Sequence, residues 1–326
     1  MKLFAKVILC LLALPALVMC SADDKKGQVT TTKLNPYLAD PTIFAQNGTY
    51  YLYGTKGDPN IPGEGFLVYT STDLEIWSGP AGLHDGFAFK KGDGYGDTGF
   101  WAPQIFQHNN KFYMAYTANE HIAIAESNSP LGPFTNVGNP IPSDGKQIDP
   151  FVFFDNGKIY LYHVRLDDGN RVFVAELEDD FSAVKPGTLT ECVHATEQWE
   201  NTQNASWGVT EGPTVFKSGS LYYLVYSAND FRNPDYAVGY ATSSNPTGPW
   251  VKQSGSPIIS KALLGYPGTG HGDIFYDAAG AMQYVFHTHF STTTVEPRKT
   301  AIVPLSLNSG VLSLAPGATI TWPGVE

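Results

Sequence analysis

The chain has 326 residues, 42% of them hydrophobic and 13% aromatic, with 20 basic against 31 acidic side chains and a formal charge of −11. That length gives ample chain for a large core, in one all-β domain or in two smaller ones. The acidic balance excludes nucleic acid as a partner, because phosphate backbones are held by basic surfaces, and an uncharged ligand suits it better.

Behind Lys2 the chain is apolar from Leu3 to Met19, interrupted only by Lys6. A basic start and a short apolar segment, too short and too poorly flanked to span a membrane, form an export signal, so residues 1–19 are read as a signal peptide. Its end, Leu17-Val18-Met19-Cys20-Ser21-Ala22-Asp23-Asp24, resembles a bacterial lipoprotein box with Cys20 acylated as the first mature residue, although Met19 stands where that box prefers a small residue. Ordinary cleavage after Ala22 is the alternative. The mature protein is expected outside the cytoplasm, lipid-anchored at an outer membrane or cell surface, or otherwise periplasmic or secreted. The anchor is its one expected tie to a membrane. Losing Lys2 and Lys6 takes the formal charge from −11 to about −13. Cys10 is lost as well, so Cys192 is the one cysteine of the folded part and the core must supply the stability.

Residues 20–35 are polar and aperiodic and read as a flexible tether. From residue 36 to 326 short runs of Tyr, Phe, Val and Ile alternate with Gly, Pro, Asn and Asp, without sustained helical periodicity. One phrase recurs five times: Ala39-Asp40-Pro41-Thr42-Ile43-Phe44, Trp101-Ala102-Pro103-Gln104-Ile105-Phe106, Ile148-Asp149-Pro150-Phe151-Val152-Phe153, Glu211-Gly212-Pro213-Thr214-Val215-Phe216 and His271-Gly272-Asp273-Ile274-Phe275-Tyr276. A turn such as Asn47-Gly48 or Asn156-Gly157 follows each phrase and leads into an aromatic strand, which is hairpin grammar. Third strands are expected at 66–69, 122–125, 172–175, 236–240 and 300–303.

Counted from the second residue of each phrase, the repeats begin at 40, 102, 149, 212 and 272, spaced 62, 47, 63 and 60. A unit of that size holds one four-stranded propeller blade, and five units predict a five-bladed β-propeller over residues 36–326. A β-sandwich has many short strands too, but does not repeat a phrase at this period. Residues 308–326 leave room for a closing strand.

In a propeller the inner strands line the axis, so the phrases would meet at one mouth of the channel. Their alignment stacks Asp40 on Asp149, and Trp101 on Glu211 and His271 one position earlier. A lone Asp-Pro does no more than start a strand and cap a turn. Two in register, with Glu211-Gly212-Pro213 in a third repeat, point to a carboxyl cluster, in which neighbours raise one another's pKa and an acid can stand beside a base. Trp101 and Trp207, the latter just ahead of Glu211, are candidates to stack on a ligand ring. His287-x-His289 lacks the further ligands that a zinc site needs.

The whole chain from Pro36 resembles glycoside hydrolase family 43, above all in Ala39-Asp40-Pro41, Phe100-Trp101-Ala102-Pro103, Ile148-Asp149-Pro150, Glu211-Gly212-Pro213 and Gly270-His271. The resemblance implies Asp40 as general base, Glu211 as general acid and Asp149 as the residue that tunes and orients the acid. It also implies Phe100, Trp101 and Arg298 at the substrate, and His271 beside a calcium ion, bound directly or through water. No cofactor is expected in the chemistry itself. Expected is a monomeric inverting enzyme that removes α-L-arabinofuranosyl or β-xylosyl units from plant cell-wall polysaccharide. Endo-arabinanase or galactose-releasing activity is the alternative within the family, and a non-catalytic carbohydrate-binding surface propeller the alternative outside it.

Overall fold

A computed structural model describes residues 34–136 and 139–326. The export signal, Cys20 and the tether up to residue 33 lie outside the described residues. Four antiparallel sheets have four strands each: Trp101–His108 with Lys111–Ala118, His121–Ser127 and Thr135–Asn136; Gln147–Asp155 with Lys158–Leu166, Asn170–Glu176 and Thr190–Val193; Thr210–Ser218 with Leu221–Ala228, Ala237–Ser243 and Val251–Lys252; and Gly270–Tyr276 with Met282–Thr288, Lys299–Asn308 and Val311–Leu314. The first blade pairs Leu38–Gln46 with Thr49–Lys56 and Tyr69–Ser71. Each inner strand packs on the next, and the fifth on the first, so the five sheets close as a propeller. Among the described residues helix is limited to Lys261–Leu264 and the 3-10 turn Gln198–Glu200.

The hairpins follow their turn residues. Asn47 and Gly48, with φ of 51° and 77°, and Asn156 and Gly157, with φ of 50° and 75°, sit in the left-handed region that two-residue hairpin turns require. The aromatic strands then point their two faces into different blade interfaces. Tyr113 and Ala115 pack toward the third blade, while Met114 and Tyr116 pack toward the first. Five buried clusters result, one at each interface, and burying each large apolar side chain contributes roughly 1.5–3 kcal/mol.

Two boundaries differ from expectation. The run 66–69 is not one strand: Gly65–Leu67 leaves the blade to pair with Phe87–Lys90, and Tyr69–Ser71 is the third strand. Leu34 and Asn35, counted with the tether, are fixed to the last blade. Leu34 bridges Val325, and Asn35 both donates to the Thr300 carbonyl (2.8 Å) and accepts from the Thr300 N–H (2.9 Å). Gly324–Val325 pairs in parallel with Ile76–Trp77, so the end of the chain joins the first blade. Cys192 is a free thiol.

Candidate active site

Every inner strand begins with the same irregularity. Asp40, Ala102, Asp149, Gly212 and His271 have φ of 48°, 44°, 55°, 59° and 42°, and the strand register breaks at each of them. Asp and His tolerate this region better than most residues, and the strain of roughly 1–3 kcal/mol per residue is stored at the channel mouth. The structural column therefore holds Asp40, Asp149 and His271 together, with Trp101 and Glu211 one residue earlier. His271 was aligned with Trp101 and Glu211 from sequence. The fifth bulge spans only Gly270 to Gly272, one residue shorter than the others, which shifts the histidine into the aspartate column.

In four of the five blades the bulged N–H reaches back to the end of the preceding blade's second strand. Ala102 donates to Thr55 Oγ1 (3.0 Å), Asp149 to Thr117 Oγ1 (3.0 Å), His271 to Ser227 Oγ (2.7 Å) and Asp40 to His287 Nδ1 (3.1 Å). In the third blade that position is Val164, paired with Ile148 as Thr55 is with Ala39. The Gly212 N–H goes instead to Asp149 Oδ2, at 3.2 Å. Only glycine fits at 212, because a Cβ there would stand 2.7 Å from the His271 ring. Deeper in the channel, Thr42 and Thr214 donate to the two oxygens of Asp273, each at 2.7 Å, tying three blades together.

Asp40 is buried, which by itself raises its pKa. Arg298 Nη1, 3.0 Å from Oδ1, is the largest opposing influence, and together with smaller contributions from His271, His287 and the Thr55 hydroxyl (2.6 Å) it outweighs burial and holds the carboxyl well below the usual range. Burial pushes both imidazoles toward the neutral form, so Arg298 is the charge that keeps Asp40 ionised. The opposite holds for Glu211. Burial pushes it up to about 7, against hydrogen bonds from Tyr236 Oη (2.8 Å) and Asn170 Nδ2 (2.9 Å), and with the Asp40 and Asp230 charges adding to the rise. Asp149 is also raised, by burial first and then by Glu211 and Asp40, with the Gly212 N–H opposing. The Glu211–Asp149 pair therefore retains a proton near neutral pH while Asp40 does not.

A cavity of about 510 Å³ joins these groups, lined among others by Asp40, Trp101, Asp149, Trp207, Glu211 and Arg298. Trp101 and Trp207 are 39% and 47% exposed, and Trp207 Nε1 donates to Asn170 Oδ1 (2.9 Å), so the indole and the carboxyl of Glu211 share one anchor. Arg298 spends its Nη1 on Asp40 and stacks 4.6 Å over the Phe231 ring, with Nε 3.1 Å from Glu296. Phe100 is not at the site. It is buried between Phe66 and Phe89 in the interface of the first two blades, because alternation along the chain turns it away from the cavity that Trp101 faces.

Sequence reasoning missed Asn170, Tyr236, Thr55, Asp230, Phe231 and Arg232. Asn170 starts a third strand, Tyr236 directly precedes one and Thr55 lies near the end of a second strand, and an alignment of the second-strand ends would have shown Thr55, Thr117, Ser227 and His287 as a polar column. His271 borders two of the site's carboxyls. Its Nδ1 lies 3.3 Å from Asp40 Oδ1 and 3.8 Å from Asp149 Oδ2, and both carboxyls are already engaged. The oxygens of Asp273 are taken by two hydroxyls and the Ile274 N–H. Calcium takes six to eight oxygen ligands, and among the described residues no group of three or more His, Cys, Asp or Glu is placed to hold a metal.

Residues 34–312 match the model of the glycosyl hydrolases family 43. The chain belongs to this family. Among solved structures, the family 43 chain is similar to an endo-1,4-β-xylanase of Bacteroides thetaiotaomicron, with a TM-score of 0.83 and 41% identity over 91% of this chain and 99% of the other. A thermostable family 43 glycoside hydrolase gives 0.76 and 35% identity over 85% and 92%. Among curated relatives, a β-D-galactofuranosidase of Aspergillus niger is 22% identical over 89% of this chain and 85% of its own length. An extracellular exo-α-(1→5)-L-arabinofuranosidase of Streptomyces avermitilis is 25% identical over 83% of this chain and 58% of its own length. The protein is thus a glycosidase with a carbohydrate substrate, and relatives named extracellular agree with an exported protein.

Proposed function

We propose that the enzyme is an inverting exo-glycosidase that removes α-L-arabinofuranosyl or β-xylosyl units from plant cell-wall polysaccharide or its oligosaccharides. The observation that carries this is the opposite electrostatics of two buried carboxyls, with Asp40 held ionised by Arg298 and Glu211 held protonated by burial beside Asp149. Asp40 takes a proton from water as the water oxygen bonds to the anomeric carbon. Glu211 gives its proton to the leaving oxygen as the glycosidic bond breaks. Asp149 supports Glu211 as its neighbour and shares the pair's proton, and the faces of Trp101 and Trp207 are proposed to bound the sugar. A cavity of about 510 Å³ supports binding of one or two rings.

Cleavage within a xylan chain is a second reading, favoured by the name of the structure that is 41% identical. Hydrolysis of a panel of arabinofuranosides, xylosides and galactofuranosides, together with xylan and arabinan, tests both. Single released units with inverted anomeric configuration in the first-formed product, followed by NMR, support the exo reading. Retained configuration overturns the inverting mechanism. Glycan binding without hydrolysis of any member by the parent, and unchanged in Glu211→Gln, would make this a binding propeller. We further propose a lipid anchor at Cys20 and a monomeric state, tested by the loss of membrane association in Cys20→Ala and by the mass of the mature protein in solution.

A further inference from the structure

We infer that Val164 is a positioning residue for the carboxyl pair, acting through a gap in the ring of interblade hydrogen bonds. The inference rests on the proposed roles of Asp149 and Glu211. In four of the five blades the residue at this strand position accepts the bulged N–H of the next blade, through Thr55, Thr117, Ser227 or His287. Val164 occupies the equivalent place in the register, opposite Ile148, and is fully buried without a polar atom. A buried N–H left unpaired is costly, so the Gly212 N–H must find another acceptor. It takes Asp149 Oδ2, at 3.2 Å.

The consequence falls on the residue directly before Gly212, which is Glu211. A bond from the Gly212 amide to Asp149 fixes the two acidic side chains relative to each other across a blade boundary, and gives the Asp149 carboxylate a donor from a rigid backbone. A hydroxyl at 164 would complete the ring and restore the fivefold pattern. It would also remove the tie that seats Asp149 beside Glu211. The polar column is interrupted at the one boundary where the next blade carries the proposed acid.

Val164→Thr tests this with little change of shape. The backbone amide signal of Gly212, followed by NMR in glycine-labelled full-length protein, is the direct readout. In the parent, Asp149→Asn should move that signal strongly, whereas in the Val164→Thr background the same substitution should leave it nearly still. Val164→Thr should also lower kcat about tenfold with KM little changed, as expected when an acid pair is misaligned and sugar binding is kept. Val164→Ser is a second carrier of the hydroxyl should the threonine disturb folding. Val164→Ala, which lacks it, should keep the Gly212 response to Asp149→Asn. If Gly212 responds to Asp149→Asn equally in all backgrounds, or if Val164→Thr and Val164→Ser keep the parent kcat, the inference is overturned. The amide readout does not depend on hydrolysis, so failure of the reaction assignment would appear separately, as an inactive parent with an intact amide response.

Discussion

Arg298 Nη1 lies 3.0 Å from Asp40 Oδ1, joining residues 258 positions apart. Both side chains are about nine-tenths buried, so the pair is shielded from solvent, and removing one partner leaves the other charge uncompensated. Arg298→Ala is expected to lower kcat/KM by about 10²-fold or more, with the acid limb of the pH–rate profile moved upward as the pKa of Asp40 rises. Arg298→Lys should recover part of the loss, since it restores the charge but not the planar guanidinium. A profile with an unmoved acid limb would detach Arg298 from the base.

Glu211→Gln and Asp40→Asn should differ in their dependence on leaving group. Without its acid, the enzyme is expected to lose about 10³-fold on natural linkages and much less on aryl glycosides whose leaving groups need no proton. Asp40→Asn should fail on both substrate types. Kinetics on a series of aryl glycosides of graded leaving-group acidity checks the assignment.

Tyr236 and Asn170 both donate to Glu211 and both lower its pKa against the upward push of burial. Tyr236→Phe removes one donor from the carboxylate form, so the alkaline limb, set by loss of the Glu211 proton near pH 7, should move to higher pH by up to about one unit. An alkaline limb that stayed in place would show that another group sets it.

The same pKa has a stability consequence. Glu211 is raised from 4.5 to about 7, so the folded state is favoured below the unfolded value and loses that advantage as pH rises through the folded one. Glu211→Gln should therefore melt a few degrees above the parent at pH 8, and the difference should shrink toward pH 5. Thermal melts at the two pH values decide this.

Gly212→Ala adds a Cβ at a φ of 59°, 2.7 Å from the His271 ring. A loss of about 1–3 kcal/mol is expected from backbone strain and overpacking, with activity reduced because His271 borders Asp40 and Asp149. Chemical denaturation measures the first effect and steady-state kinetics the second.

The blades and the three carboxyls were legible in the sequence because a propeller writes its inner strand once per blade, and the Asp-Pro and Glu-Gly-Pro phrases mark where each strand starts. His271 was misplaced by one residue because a bulge of one residue and a bulge of two look alike until the pairing strand is seen. Phe100 looked like part of the site through its neighbour Trp101, yet successive residues of an extended chain face opposite ways. Tyr236 and Asn170 were not found: Tyr236, directly ahead of the third strand of the fourth blade, meets Glu211 within its own sheet, while Asn170, at the start of a third strand of ordinary appearance, reaches it only when the third and fourth blades lie side by side.

Asp40 comes from the first blade, while Arg298, His271 and His287 come from the fifth. Its charged state is thus assembled across the seam that Leu34, Val325 and Trp77 lock shut. A chain with only four blades folded carries its base unpaired and its acid without the Asp40 charge nearby. Hydrolytic competence therefore appears at a single moment, when the ring closes, and its onset during refolding is a clock for that closure.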